Sequence, residues 1–267
     1  MQKEQLQEYL EFAKNIAREA GQVMHQYYRA DQKVEEKSDH SPVTVADTII
    51  NSMLIERVKN TFPEHGVMGE EESWQAEKPV VWVCDPIDST VSFIVHIPTF
   101  TFALALVVDG EPLVAVVYNP MTDEIYSAIK NEGAFRNNTK IAVSDREWGD
   151  GALLLRKASP LQSNILDRSD VATELYSQGV RLIANHGAVW SGCLIADGSV
   201  DGYLYEGDGP HDVAAVKLLV EEAGGKVTDL LGGEQNYNQP IGGSIVSNSH
   251  IHAKLIDLVG EHANSRD

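Results

Sequence analysis

The sequence is poor in cysteine, in positive charge and in long apolar runs. Its 267 residues include only two cysteines, Cys84 and Cys193, and their spacing matches no metal-ligand pattern. Cys84 ends an apolar run and is expected to be a buried free thiol, and no disulfide is expected in a cytoplasmic setting. The chemistry of this chain therefore has to come from other side chains.

The chain also has few positively charged residues. The chain has 21 Lys and Arg against 40 Asp and Glu, which gives a formal net charge of −19. Nucleic acids and anionic membranes are bound through basic patches, so this balance argues against either as a principal partner. A phosphorylated small molecule stays possible if bound divalent cations reverse the local field.

Long apolar runs are missing as well. A helix needs about 20 consecutive apolar residues to cross a bilayer, and the longest apolar run here covers residues 102–108. Residues 1–30 are charged and helical in pattern, without the apolar core of a signal peptide. We therefore expect a cytoplasmic protein that does not contact membranes.

The pattern of apolar residues changes near residue 148. Before it, two helical segments precede strands and turns, with Asp109-Gly110 as a strong hairpin signal. After it, short strands alternate with segments of helical spacing at 163–176, 188–197, 212–223 and 250–262. This predicts an α+β lobe over residues 1–148 and an α/β lobe over residues 149–267.

A short acidic loop is the most informative segment. Val80–Val83 read as a buried strand, and Pro86, which lacks an N–H group, is expected to end it. Asp85 and Asp88 would then flank a tight turn, where their carboxylates repel unless a cation lies between them. Mg²⁺ is the natural cation, although Asp, Pro and Ser are also common in turns without any ligand.

Three other acidic positions accompany this loop. Glu70 lies in the run Gly69–Glu72, Asp47 follows Thr44 at capping-box spacing, and Asp212 begins a predicted helix. Each has an ordinary explanation by itself, because acidic residues are common in solvated loops and at helix starts.

Taken together, the acidic motifs resemble those of the inositol monophosphatase family, which comprises Mg²⁺-dependent, lithium-sensitive phosphatases. The resemblance covers nearly the whole chain and rests on these residues: Lys37, Thr44-x-x-Asp47, Gly69-Glu70-Glu71-x-Ser73, Trp82-x-x-Asp85-Pro86-Ile87-Asp88-x-Thr90, Gly133-Ala134-Phe135, Asp212-Val213-Ala214-Ala215 and Glu222-Ala223-Gly224-Gly225. It implies an α/β fold arranged as a layered αβαβα sandwich of the inositol monophosphatase/fructose-1,6-bisphosphatase type, usually assembled as a homodimer.

The resemblance also implies a set of metal ligands for two or three Mg²⁺ ions. One ion would be held by Glu70, Asp85 and the carbonyl group of Ile87, and a second by Asp85, Asp88 and Asp212. Glu70 would also reach a weaker third ion. Metal bridging to phosphate explains why so many carboxylates converge.

Further roles follow from the same resemblance. Thr90, hydrogen-bonded to Asp47, would act with Glu70 to deprotonate a metal-activated water that attacks phosphorus in line. The N–H groups of Ser89 and Thr90 would hold the phosphate, with Asp88 close by. Lys37 lies in the polar stretch 35–41, which could close over the site and neutralise phosphate charge.

Several substrate-facing positions depart from the family pattern. Ser89 replaces the usual Gly, Ser92 replaces Asn, and His211 replaces Trp. Where inositol-specific members carry a Glu that binds the sugar ring, this chain has Tyr205, followed by Glu206. His211 could hold Asp212 by a hydrogen bond, touch the substrate, or only fill space.

We therefore predict a Mg²⁺-dependent phosphomonoesterase acting on myo-inositol monophosphate or a related small polyol or sugar phosphate. Histidinol phosphate, fructose 1,6-bisphosphate and 3′,5′-bisphosphonucleotides remain alternative substrates. A catalytically weak binding or regulatory homologue is the alternative of a different class.

Overall fold

The computed structural model describes residues 1–30, 34–37, 42–149, 151–157, 169–185 and 187–263. Residues 163–168 of the helix predicted over 163–176 lie outside these ranges, as do residues 38–41 of the polar stretch 35–41. The remaining predicted helices and strands fall within the described part of the chain.

The first sheet has eight strands. In chain order the elements up to its last strand are α1 (Lys3–Tyr27), β1 (Val34–Glu36), β2 (Pro42–Thr44), α2 (Val45–Thr61), β3 (Gly66–Gly69), β4 (Ser73–Trp74), β5 (Val80–Asp88), α3 (Thr90–Ile94), β6 (Thr101–Val108), β7 (Glu111–Asn119), β8 (Glu124–Ile129), β9 (Gly133–Arg136) and β10 (Thr139–Lys140). The strand order is β10-β9-β8-β7-β6-β5-β3-β4, while β1 and β2 pair separately.

The predicted antiparallel meander is confirmed. Strands β6, β7, β8 and β9 pair antiparallel in sequence order. Asp109 and Gly110 join β6 to β7 with φ angles of 50° and 88°, the positive values that a two-residue hairpin turn needs at both positions.

The second sheet has five strands, and the predicted alternation of strands and helices is found in this part of the chain. Its elements are β11 (Leu153–Lys157), α4 (Ser169–Ser177), β12 (Arg181–Asn185), α5 (Ala188–Ala196), β13 (Gly202–Tyr205), α6 (Ala214–Glu222), β14 (Lys226–Thr228), β15 (Ser244–Ser247) and α7 (His252–Ala263). The strand order is β12-β11-β13-β15-β14.

The prediction that Asp212 begins α6 was wrong. Asp212 is the last residue of a separate 3₁₀ turn, Pro210–Asp212, and α6 begins at Ala214.

The layers are set by strands that are buried on both faces. In β6, Phe102, Leu104 and Leu106 pack against α1 and α2, whereas Ala103 and Ala105 face α5 and α6. Helices α5 and α6 also pack on the second sheet, whose other face is covered by α4 and α7. This succession is the expected αβαβα sandwich.

The proposed lobe boundary after residue 148 lies between Lys140 and Leu153, outside both sheets.

A second local prediction was wrong. Pro86 does not end β5, which continues to Asp88. The strand contains a bulge, because Asp85 pairs with Ala103 and Asp88 pairs with Thr101, so two residues of β5 oppose one residue of β6. A proline is tolerated at a bulge because the ladder needs no N–H group from it there.

Both cysteines are buried free thiols, which confirms the prediction made for Cys84. Across the described ranges, no helix combines the length and the apolar character that crossing a membrane requires.

A partly buried ion pair between Arg146 and Asp201 connects the segment between the sheets to the second sheet. Asp201 is fully buried and accepts hydrogen bonds from the side chains of Ser144 and Arg146 and from the N–H of Leu153. The Arg146 guanidinium also donates to the carbonyl oxygens of Gly198 and Ser199.

We expect Asp201→Asn to lower the free energy of unfolding by about 1.5–3 kcal/mol, since it weakens the charge-assisted hydrogen bonds to Arg146, whose side chain is one third exposed. The matched control is Glu132→Gln, which breaks the exposed pair with Lys3 and should cost no more than about 1 kcal/mol. Urea unfolding of the three proteins measures both. Equal losses for the two variants would contradict a structural role for the Asp201 network.

Candidate active site

The bulge in β5 places two carboxylates on one side of the sheet. Side chains of a regular strand alternate between faces, so residues three apart, such as Asp85 and Asp88, would point in opposite directions. The extra residue of the bulge restores the alternation, and both carboxylates face the layer of α5 and α6. Asp85 is 2% exposed and Asp88 4% exposed.

Asp212 joins these two residues from the later part of the chain. One carboxylate oxygen from each of Asp85, Asp88 and Asp212 can be chosen so that all three lie within 4.8 Å of one another. Asp212 is half-buried on the 3₁₀ turn before α6. The sequence prediction that these residues converge is therefore correct as geometry.

Glu70 reaches the same region through strand pairing. It directly follows β3, which is parallel to β5, and its N–H donates to the carbonyl oxygen of Cys84, the neighbour of Asp85. Asn51, which is buried on α2, donates from its amide to the carbonyl oxygen of Glu72 and accepts from the N–H of Glu71. Sequence reasoning missed Asn51, although a polar residue between apolar helix positions was a usable signal.

The buried carboxyl group of Asp85 lies among other acidic groups and is incompletely hydrogen-bonded within the described residues. Its Oδ1 atom is buried and has no hydrogen-bond partner among the described residues. Burial and the charges of Glu70, Asp88 and Asp212 hold the pKa of this carboxyl well above its usual range. An unpaired buried oxygen among carboxylates suits a hard divalent cation, so these residues fit the Mg²⁺ that the family resemblance implies.

Asp47 is held by the start of α2. Its Oδ2 atom accepts hydrogen bonds from the N–H and the hydroxyl of Thr44, at 2.8 and 2.6 Å, which confirms the predicted capping arrangement. Its Oδ1 atom is buried and unpaired within the described ranges. Burial raises the pKa of Asp47 to about 7, with Glu70 and Glu71 adding to the effect.

The hydrogen bond expected between Thr90 and Asp47 is not formed. The hydroxyl of Thr90 donates instead to the carbonyl oxygen of Ile87, at 3.1 Å. The acceptor lies three positions earlier, near the end of β5, so this hydroxyl is satisfied locally. The carbonyl of Ile87 therefore lies beside Thr90, next to the two aspartates of β5.

Lys37 forms ion pairs with two glutamates of the site. Its Nζ atom lies 2.7 Å from Glu70 Oε1 and 2.6 Å from Glu71 Oε1. Burial alone would lower the pKa of Lys37, but the two glutamates outweigh it and raise the pKa above its usual value. Lys37 thus supplies positive charge at the edge of the acidic cluster.

Ser89 adopts a conformation that favours glycine. It precedes α3 with φ 67° and ψ 52°, the left-handed region, where a side chain costs about 1 kcal/mol. Its hydroxyl donates to Ser92 at 2.7 Å, and Thr99 donates to the same Ser92 oxygen at 3.3 Å. The two departures Ser89 and Ser92 therefore form one hydrogen-bonded pair.

The carboxylate of Asp88 also holds the start of α5. Its Oδ1 accepts from the N–H of Ala188 at 3.0 Å, and its Oδ2 accepts from the N–H of Trp190 at 3.1 Å and from Thr101 at 3.3 Å. A Cβ atom at Gly187 would lie 2.4 Å from Asp88 Oδ2, so a larger residue there would displace this carboxylate. These partners carried no recognisable signal in the sequence.

Two of the residues predicted to face the substrate, Tyr205 and His211, lie beside Asp212 instead. The hydroxyl of Tyr205 donates to Asp212 Oδ2 at 2.5 Å, and burial together with Asp212 raises the pKa of Tyr205, so the phenol is the donor. His211 Nε2 lies 3.7 Å from Asp212 Oδ2, and Glu206 is half-buried after β13. Tyr205 and His211 thus both flank Asp212.

Comparison with known proteins gives concordant results. A family model described as "Inositol monophosphatase family" matches residues 5–264. The Nus factor SuhB of Salmonella typhimurium is 32% identical, over 89% of this chain and 90% of its own. Inositol monophosphatase 1 of Rattus norvegicus is 32% identical over 85% of each chain. The structure of an IMPase of Thermotoga maritima has a TM-score of 0.85 at 27% identity, covering 97% of this chain and 99% of that one.

The raised pKa of Asp47 predicts a pH dependence. The unfolded chain releases this proton near pH 4 and the folded chain near pH 7, so between these values the folded state binds the additional proton. Raising the pH across this window should therefore destabilise the wild type relative to Asp47→Asn by about 1.4 kcal/mol per pH unit. Urea unfolding of both proteins in EDTA, from pH 4 to 8, measures the difference. A difference that does not change with pH would contradict the assignment.

Proposed function

Because the chain belongs to the inositol monophosphatase family, we propose that it is a Mg²⁺-dependent phosphomonoesterase. The observation that carries this proposal is the convergence of Asp85, Asp88 and Asp212, with Glu70 beside them and an unpaired Asp85 oxygen among them. A scaffold without chemistry would gain nothing from burying these repelling charges together.

We propose two principal metal positions. Glu70, Asp85 and the Ile87 carbonyl would hold one Mg²⁺, and Asp85, Asp88 and Asp212 a second, with Glu70 available to a weaker third. When bound, Mg²⁺ supplies a Lewis acid that polarises the phosphoryl oxygens and stabilises developing charge.

The protein groups have distinct proposed tasks. Glu70 would accept the proton of the attacking water, which Thr90 orients through its hydroxyl group. Asp47 would keep this region in place through its contacts at the start of α2. The N–H groups of Ser89 and Thr90, together with Lys37, would bind the phosphate, because backbone amides and ammonium groups are suitable donors to phosphoryl oxygens.

The proposed substrate is myo-inositol monophosphate or a related small polyol or sugar phosphate. Tyr205 stands where inositol-specific members carry a Glu, and its hydroxyl is used by Asp212. The polyol-binding carboxylate is therefore absent from that position, which keeps histidinol phosphate, fructose 1,6-bisphosphate and 3′,5′-bisphosphonucleotides as alternatives.

A binding or regulatory role is the second candidate function. It is favoured by one observation, that a relative named Nus factor SuhB is as similar to this chain, at 32% identity, as rat inositol monophosphatase 1. Overall similarity therefore does not choose between a relative named as a Nus factor and one named as a phosphatase.

The test of the proposed function is phosphate release from a panel of these monoesters, with Mg²⁺ or with EDTA. We expect Mg²⁺-dependent release, inhibition by LiCl, and a loss of at least about 100-fold in kcat/KM for Asp88→Asn, because even the outer partners of metal ligands contribute 10–100-fold. The control is Asp109→Asn in the β6–β7 turn, where Asn tolerates the same positive φ.

Two results would count against the proposal. No release by the wild type from any monoester would favour the binding role. Near-wild-type kcat in Asp88→Asn, with its urea midpoint showing a folded protein, would reject the metal assignment.

We also propose a homodimer, as the family resemblance implies. Val91, Val95 and Ile97, in and just after α3, are each about half exposed, although apolar side chains of this size are usually covered. Sedimentation equilibrium should give a mass of twice 29.3 kDa for the wild type and a lower mass for Val95→Glu. A monomeric wild type at micromolar concentration would contradict the proposal.

A further inference from the structure

Tyr205 has a contact that its place in the sequence does not explain. It ends β13 and points, like Tyr203, into the layer between the sheets. Tyr205 is 5% exposed and Tyr203 4% exposed. The two hydroxyls differ in one respect, because that of Tyr205 donates to Asp212 Oδ2 at 2.5 Å, whereas that of Tyr203 has no partner among the described residues.

The chain around Tyr205 leaves its hydroxyl little freedom. A Cβ atom placed at Gly207 would lie 2.3 Å from the Tyr205 hydroxyl oxygen and 2.5 Å from the ring carbon that carries it. The segment that leads from β13 to Asp212 therefore folds directly over the phenol. The backbone at Gly207 and the carbonyl oxygen of Gly209, which lies 3.5 Å from the hydroxyl, therefore confine the phenol from this side.

Asp212 needs such a fixed donor more than the other carboxylates do. Asp85 and Asp88 lie in β5, where the sheet holds their backbone, and Asp88 has three further donors from Thr101, Ala188 and Trp190. Asp212 lies on a short turn and is half-buried. Its carboxylate carries the same charge as the two it approaches, so repulsion would otherwise turn it towards solvent.

We propose that Tyr205 is the positioning residue of Asp212, holding that carboxylate towards Asp85 and Asp88 so that the cluster can bind a divalent cation. This inference rests on the proposed function, because it assumes that the three aspartates are metal ligands. Donors to ligating carboxylates typically contribute 10–100-fold to metal affinity, since they fix the orientation of the ligand.

The experiment is isothermal titration of the full-length protein with MnCl₂ and, separately, with MgCl₂. We expect Tyr205→Phe to bind the cation 10–100-fold more weakly than the wild type, because phenylalanine keeps the ring and removes only the donor. Tyr203→Phe is the matched control, from the same strand and the same face, and its affinity should stay within about twofold. Urea midpoints in EDTA establish that both variants are folded.

A double variant shows whether Tyr205 acts through Asp212. Tyr205→Phe combined with Asp212→Asn should bind the cation no more weakly than Asp212→Asn alone, because the hydroxyl then has no carboxylate to position. A full additional loss in the double variant, or unchanged affinity in folded Tyr205→Phe, would overturn the inference. If instead the wild type binds neither cation, it is the proposed function that fails.

Discussion

Repulsion between buried carboxylates is the constraint on which the centre of this structure depends. Asp85, Asp88 and Asp212 approach within 4.8 Å with little exposure to water, which no pair of like charges does without compensation. Several neighbouring groups compensate the negative charge of the acidic residues. Lys37 pairs with Glu70, the N-terminus of α5 donates to Asp88, and Tyr205 donates to Asp212. The Oδ1 atom of Asp85 has no such partner in the part of the chain that the structure describes.

Backbone geometry, more than side-chain chemistry, brings these charges together. The bulge in β5 turns Asp88 to the same face as Asp85, and the parallel pairing of β3 with β5 places Glu70 beside them. The small side chains of Ala103 and Ala105 on the same face of the sheet lie against α5 and α6, the layer that delivers Asp212. The site is thus a product of sheet register and layer packing.

Local signals in the sequence were reliable where a short segment determines its own conformation. The Asp109-Gly110 hairpin and the Thr44–Asp47 capping arrangement are of this kind, because their partners lie within a few residues. The convergence of Asp85, Asp88 and Asp212 was also predictable, since the types and order of the acidic residues match a family. Pro86 misled, because whether a proline ends a strand or lies in a bulge depends on the neighbouring strand.

What the sequence did not reveal depends on contacts between distant segments. Gly187 is favoured over larger residues because Asp88, almost a hundred residues earlier, approaches it, and Asn51 matters because it holds the carbonyl of Glu72. The partner of Thr90 was misassigned for a different reason. A hydroxyl at a helix start can satisfy itself on a nearby carbonyl, and family resemblance does not decide between the two geometries.

The three aspartates come from different parts of the fold, and this affects how the protein resists proteolysis. Asp85 and Asp88 belong to the eight-stranded sheet, whereas Asp212 arrives from the segment that follows the second sheet's β13. A cation held by all three would join these parts only while the chain is folded, and would stabilise it by about 2.7 kcal/mol at one hundred times its dissociation constant. Resistance to proteolysis would then rise and fall with the supply of free divalent cation, independently of any substrate.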